Sequence, residues 1–275
     1  MRIDSHHHLW KYGIQEYGWI GDDMKAIQRD FLAPELAAAL KSGGIDGAVT
    51  VQARETLEET RWLLGIAAKA PIIKGVVGWV ELVNPKVEAD LEKFSADKKL
   101  KGVRHVLQAE PANQLMDDPR FNAGVEKLDK HGLVYDVLIF ERHLKQAIAF
   151  VDRHPRQRFV LDHVAKPKIK EHVLEPWRTL MKDLAKRPNI YCKISGMATE
   201  ADWKGWTAAD MKPYIDTVLE AFGPKRLMFG SDWPVMLVAS PYRKWVDTVA
   251  AAIGKLSAAE QARIWGETAA EAYRL

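Results

Sequence analysis

The chain has 275 residues, 47% of them hydrophobic, and its 40 Lys plus Arg against 37 Asp plus Glu leave a formal charge of only +3. Both signs are interspersed, so even with a pI near 8.8 there is no electrostatic reason to expect nucleic acid or an anionic membrane as partner. A lone cysteine, Cys192, excludes an intrachain disulfide, no apolar run reaches the roughly 18 residues of a membrane span, and no secretory h-region is visible, so the expected compartment is the cytoplasm.

The chain opens on Met-Arg-Ile-Asp-Ser-His-His-His-Leu-Trp. Alternation along a strand predicts Asp4, His6 and His8 on one face and Ser5 and His7 on the other. Two imidazoles then share a face, either as part of a metal site or as a pair of polar catalytic groups. The run 9–30 holds Trp10, Tyr12, Tyr17 and Trp19 among glycines. It follows a period of neither 2 nor 3.6, which predicts a long connection covering an active site.

From there helices and strands alternate. Pro34 opens a helix over 34–42 that Gly43-Gly44 ends. Strands are expected at 48–52, 72–80, 102–107, 133–140, 159–164, 190–195 and 227–230, separated by helices at 55–69, 85–96, 119–130, 142–153, 173–186 and 208–222. Two closing helices follow near 242–253 and 258–273. With the first strand the count is eight, which predicts parallel pairing and an α/β fold of the closed (β/α)8 TIM barrel type, one domain over 1–275. No glycine-rich dinucleotide turn follows any strand, so no nucleotide cofactor is expected.

Such a barrel carries its chemistry at the C-terminal ends of the strands. The polar residues expected there are His6 and His8, Gln52 and Arg54, Trp79 and Glu81, Arg104, His105 and Gln108, Asp136, Asp162 and His163, Lys193 and Ser195, and Asp232. Several have a plainer reading: Arg104 as the partner of Asp136 or Asp162, His163 as a satisfied core histidine, Asp232 as a helix cap. Arg104 and His105 are adjacent, so only one of them faces the pocket. Lys193 in a strand needs a carboxylate or a ligand to offset its desolvation. Trp203, Trp206 and Trp233 offer flat apolar faces, while His131, His143, His154 and His172 fall on helices and suit surface or cap duties.

Taken together, Ile3-Asp4-Ser5-His6-His7-His8-Leu9-Trp10, Gly102-Val103-Arg104-His105, Tyr135-Asp136-Val137-Leu138, Leu161-Asp162-His163-Val164-Ala165-Lys166-Pro167, Cys192-Lys193-Ile194-Ser195-Gly196 and Met228-Phe229-Gly230-Ser231-Asp232-Trp233-Pro234 resemble the amidohydrolase superfamily. More narrowly they resemble its branch of lactone hydrolases acting on sugar acids, in motif order and spacing over nearly the whole chain.

By that resemblance His6 and His8 correspond to the strand-one metal pair, His163 to the later strand-end histidine and Asp232 to the acidic group after the last strand. Where binuclear members carry a further histidine this chain has Lys193. The resemblance therefore implies at most one divalent metal, zinc, held by His6, His8, His163 or Asp232, or a lactonase that works without metal. The implied reaction opens a small-molecule sugar lactone to the free aldonic acid. Asp232 would take the proton from water and His163 and Arg104, or the zinc, would polarise the carbonyl. Gln52, His105, Asp136, Lys193, Trp203 and Trp79 would bind the substrate. Two rivals stay open: another metal-dependent reaction of the superfamily (amide hydrolysis or decarboxylation of an aromatic acid), and a non-catalytic sugar-binding barrel.

Overall fold

In a computed structural model that describes residues 1–109 and 111–275, strand β1 (Ile3–His7) pairs in parallel with β2 (Gly47–Val51). The order continues unbroken through β3 (Ile73–Gly78), β4 (Leu100–Val106), β5 (Val134–Leu138), β6 (Phe159–Leu161), β7 (Ile190–Ile194) and β8 (Leu227–Phe229). The sheet closes on itself at its C-terminal rim: His7 bridges Trp233, His8 N–H donates to the Trp233 carbonyl at 2.7 Å and Asp232 N–H to the His6 carbonyl at 2.8 Å. The expected (β/α)8 barrel is the observed fold.

Helices α1 (Ala33–Gly43), α2 (Leu57–Ala67), α3 (Val87–Ser95), α4 (Pro119–Val125), α5 (Leu144–Arg153), α6 (Trp177–Leu184), α7 (Ala208–Phe222) and α8 (Tyr242–Ile253) surround the strands. Several form where an apolar stripe meets a start signal, others on the stripe alone. In α5 the buried stripe is Leu144, Ala147, Ile148 and Val151, the spacing of a helix with one face on a core. Thr56 caps α2 by accepting from Glu59 N–H, and Thr207 with Asp210 forms a capping box at α7.

Inside the barrel, Ile3, Val49, Val51, Val77, Val134, Val160 and Met228 make an apolar layer at the N-terminal end. It is closed from below by Ala269, Ala272 and Tyr273 of the C-terminal helix α10 (Thr268–Tyr273), which follows the short α9 (Ala258–Ala262). The single closing helix expected over 258–273 is broken at Gly266, where an added Cβ would lie 2.2 Å from the Met1 carbonyl. Backbone approach at that distance tolerates only glycine.

Residues 9–30 are less irregular than their composition implies. Trp10 and Phe31 exchange two backbone hydrogen bonds, Trp10 Nε1 donates to the Arg29 carbonyl, and a 3-10 helix spans Asp22–Ile27. Among the described residues no helix is long and apolar enough to cross a membrane.

Candidate active site

Strand β1 does not keep strict alternation. Its register against β2 shifts between Asp4 and His7, so one extra residue turns Asp4 away from the barrel interior while His6 points into it. The expectation that Asp4 shares a face with His6 and His8 is therefore corrected. Asp4 accepts from Ser231 N–H at 2.8 Å and from the Tyr242 hydroxyl of α8 at 2.9 Å, and burial lifts its carboxyl to about 6.

The other departure from regular geometry sits at the ends of β6 and β8. The strand expected to run to residue 164 stops at Leu161, and His163, Val164, Ala165 and Lys166 all take left-handed backbone angles, φ between 47° and 61°. Asp232 is left-handed too, at φ 63°. For residues with a Cβ this conformation costs roughly 1–2 kcal/mol each, and backbone strain of this kind clusters where side-chain placement matters. The turn is held by Lys166 N–H to the His163 carbonyl at 2.8 Å, by Trp177 Nε1 to the Val164 carbonyl at 2.8 Å, and by His163 Nδ1 against Ser195 Oγ at 2.9 Å. The adjacent Gly196 leaves room for the ring: a Cβ there would meet His163 Nδ1 at 2.4 Å.

These distortions bring one carboxylate to three imidazoles. Asp232 Oδ1 lies 3.4 Å from His8 Nε2, 3.8 Å from His6 Nε2 and 3.8 Å from His163 Nε2. All four groups are buried. Burial pushes the Asp232 carboxyl up, but His163, His8 and Lys166 outweigh it and hold it below its ordinary value. Burial also lowers two of the imidazoles, His163 to about 4 and His6 well below its usual range. At neutral pH an ionised Asp232 carboxylate therefore faces neutral His6 and His163 rings.

The tautomers follow from the partners. His8 Nδ1 is 2.8 Å from the Val51 carbonyl and must carry the proton. His6 Nδ1 is 3.2 Å from Asp162 Oδ1 and 3.2 Å from the Lys193 ammonium, whose hydrogens are directed to Asp136 and Asp162, while its Nε2 faces the pure donor Arg104 Nη1 at 3.4 Å; the proton is therefore assigned to Nδ1 and the lone pair to Nε2. The two Nε2 lone pairs then face each other at 3.2 Å, beside a carboxylate oxygen. A tetrahedral ion with nitrogen ligands at about 2.0–2.1 Å needs neighbouring donor atoms roughly 3.3–3.4 Å apart. His6, His8 and Asp232 come close to that requirement, their facing donor atoms standing 3.2, 3.4 and 3.8 Å apart, whereas His163 groups instead with His6 and Asp162. In that second group Arg104 Nη1 at 3.0 Å and Lys193 Nζ at 2.9 Å already engage the Asp162 oxygens.

Arg104 does reach the centre, with Nη1 3.4 Å from His6 Nε2, but it is fixed by Asp162 and by Gln52, whose Oε1 accepts from Nη2 at 2.8 Å. Of the residues expected to bind substrate, Gln52, Asp136 and Lys193 are fully buried and already occupied, Gln52 by Arg104 and the other two by each other. Lys193 Nζ contacts Asp136 at 2.6 Å, and Asp136 accepts from the Tyr273 hydroxyl of α10 at 2.8 Å. His105 and Trp79 lie outside the cup. His105 pairs in register with Val137 and sits between the rings of Trp79 at 5.4 Å and Phe121 at 5.1 Å, in the layer between sheet and helices, where burial lowers it to about 3. Trp203 lines an open groove of about 690 Å³ at the same end of the barrel, with Phe140, Arg142, Lys166 and Glu200.

The sequence places Asp162 and Ser195 at the rim without assigning either a role, and it does not single out Lys166 or Glu200. Asp162 precedes His163, and alternation assigns neighbours to opposite faces; the left-handed turn removes that constraint. Ser195 was placed on the correct strand end, but its partner was not visible in the sequence.

A parallel eight-stranded barrel with an aspartate and histidines converging at its C-terminal rim is the architecture of a barrel enzyme, with its polar groups gathered where such barrels carry their chemistry. The chain belongs to the amidohydrolase family, whose profile matches residues 3–275. It is 41% identical over 286 residues to the L-fucono-1,5-lactonase of Burkholderia multivorans, covering 100% of this chain and 96% of that protein. To the L-fucono-1,5-lactonase of Burkholderia ambifaria it is 36% identical over 278 residues, with the same coverage of 100% and 96%. A solved amidohydrolase structure from Burkholderia multivorans with bound zinc superposes with a TM-score of 0.96 at 41% identity, covering 100% of this chain and 99% of that one.

Proposed function

We propose that this protein is a lactonase that hydrolyses a sugar-acid lactone of the L-fuconolactone type to the free aldonic acid, with residues 1–275 acting as one catalytic unit. The observation that carries the reading is the ionised Asp232 facing His6, His8 and His163 within 3.8 Å. The full-length similarity to two proteins named L-fucono-1,5-lactonase supports the substrate class.

Water adds to the lactone carbonyl carbon as Asp232 accepts its proton. The negative charge that develops on the carbonyl oxygen is met by His163 Nε2–H, a tautomer available when Ser195 donates to Nδ1, and by the positive field of Arg104; donors of this kind are typically worth about 2.7–4 kcal/mol each. The bond to the ring oxygen then breaks, and Asp232 returns the proton to that oxygen as it becomes a hydroxyl. A lactone is already a reactive acyl group, so a carboxylate of low basicity is sufficient. His6, His8 and Asp232 would hold a single zinc, which when bound supplies Lewis-acid polarisation of the carbonyl. The segment 9–30 forms the wall behind His8, with the Trp10 ring stacked 6.5 Å from it.

Acid release from L-fucono-1,5-lactone, followed with a pH indicator, tests the reading. Turnover well above the buffer rate is expected, and a panel of aldonolactones with and without chelator ranks substrates and metal dependence. No acceleration over buffer for any aldonolactone overturns it.

A further inference from the structure

Gln52, Asp136 and Lys193, the polar side chains a sugar ring was expected to meet, are satisfied within the barrel. The hydroxyls of a lactone held at Asp232 must find partners elsewhere. The open groove beside the site supplies one pair, Lys166 and Glu200.

Lys166 is the fourth residue of the left-handed turn, tied back by its N–H to the His163 carbonyl at 2.8 Å. The turn that aims His163 at Asp232 therefore also sets the start of the Lys166 side chain. Glu200 ends a short 3-10 helix after β7 (Ala198–Glu200), and its own carbonyl accepts from Lys170 N–H at 3.0 Å. The ammonium and the carboxylate stand 3.6 Å apart, with side chains only 17% and 22% exposed. That gap exceeds a direct hydrogen bond, yet it lets one hydroxyl oxygen contact both groups at about 2.7–3.0 Å, accepting from Lys166 and donating to Glu200. Apolar surface completes the groove: Phe140, with the Lys166 ammonium 5.6 Å from its ring centre, and Trp203, whose indole N–H is held by the Thr199 carbonyl at 2.9 Å. Lys166 follows His163 on the same turn and Glu200 follows Ser195, the hydrogen-bond partner of His163, on the loop after β7, so the pair stands on the two segments that position that ring.

We propose that Lys166 and Glu200 bind a ring hydroxyl of the lactone and so set a preference for polyhydroxylated over unsubstituted lactones. This rests on the lactonase reading. The pair is a specificity device, and it lies apart from the carboxylate and imidazoles that handle the proton. Burial raises the Glu200 carboxyl and Lys166 draws it back, leaving it above its ordinary value, in keeping with a carboxylate short of donors.

The test compares wild type, Glu200→Gln and Lys166→Met on L-fucono-1,5-lactone and on δ-valerolactone, which has the six-membered ring without hydroxyls. Losing a hydrogen bond to a charged group is worth roughly 10- to 100-fold. Both variants are expected to raise KM for the sugar lactone by about that factor, with the loss in KM far exceeding the loss in kcat, and to show no matching rise for δ-valerolactone. An unchanged KM, an equal rise for both lactones, or a loss carried by kcat overturns the proposal. A wild type active on the sugar lactone alone already supports a hydroxyl requirement, and the KM values then decide which residues impose it. A wild type that opens neither lactone removes the lactonase reading itself and this inference with it. Should one variant fail to fold, the other gives the same readout.

Discussion

Gly196→Ala probes the packing that aims His163. Gly196 has φ +61°, and an added Cβ falls 2.4 Å from His163 Nδ1, 2.5 Å from Cγ and 2.9 Å from Cβ, where ordinary contact begins near 3.4 Å. The ring must retreat by about 1 Å, and a misplacement of that size is worth up to roughly 100-fold in rate. Stability falls as well. A Cβ in left-handed backbone costs about 1–2 kcal/mol and losing the His163–Ser195 bond about 1, which for a domain of this length lowers Tm by roughly 5–10 °C. Gly44→Ala supplies the control. Gly44 is also left-handed, at φ +64°, but the nearest atom to its added Cβ is Arg2 Nη1 at 3.4 Å, remote from the rim. It shares the backbone cost and should leave turnover intact. Melting curves and kcat/KM on L-fucono-1,5-lactone, measured for both variants, separate the two effects. If Gly196→Ala keeps wild-type kcat/KM while its Tm falls no further than that of Gly44→Ala, the orientation of His163 is irrelevant to turnover and the argument fails.

Asp232→Asn is expected to reduce turnover by at least about 1,000-fold while aldonate binding, followed by calorimetry, changes little; retained turnover would remove the proposed base. Glu59 of α2 accepts from Ala53 N–H at 3.0 Å and Arg54 N–H at 2.6 Å, and burial pushes its carboxyl from 4.5 up to about 7. The folded state therefore holds that proton more tightly than the unfolded chain does, and stability drops as pH climbs through this window and levels off above it. Glu59→Gln should accordingly gain Tm relative to wild type between pH 5 and pH 8 (about the ends of the window); a pH-independent difference contradicts the assignment. Lys193→Met strands Asp136 and Asp162 in the core and should cost roughly 3–5 kcal/mol in urea unfolding, part of which Lys193→Met/Asp136→Asn restores. Metal-stripped protein should take up a single equivalent of zinc by elemental analysis, and His8→Ala should lose that stoichiometric uptake.

The barrel was legible because most strands are short, largely apolar runs between amphipathic helices, several of them opened by Pro or by a capping side chain, and that pattern determines the alternation. The strand-end histidines and Asp232 were legible for a related reason: the fold class assigns the C-terminal rim to chemistry before any side chain is placed. The errors arose where the backbone leaves regular geometry. One extra residue in β1 reverses the facing of Asp4, and four left-handed residues let Asp162 and His163, sequence neighbours, both reach the centre. A second source of error was charge compensation. Gln52, Asp136 and Lys193 carry the groups a sugar needs, but a sequence does not display which buried charges neutralise each other. Lys166 closes a left-handed turn and Glu200 a one-turn 3-10 helix, and neither segment has a periodicity that shows which way its side chains face.

The position of the seam explains why the strain is tolerated. Asp232 is left-handed, and its N–H is spent on the His6 carbonyl while His8 N–H takes the Trp233 carbonyl. The bonds that join the first strand to the last thus fix the backbone of the imidazole pair and of the carboxylate at once. Opening the seam would relieve the angle at Asp232 but forfeit both hydrogen bonds and expose the apolar layer beneath. Barrel closure, driven by that buried layer, therefore holds in place a geometry that a free loop would abandon. Side-chain substitutions that leave the seam intact should accordingly change the character of the cluster more readily than they displace its members.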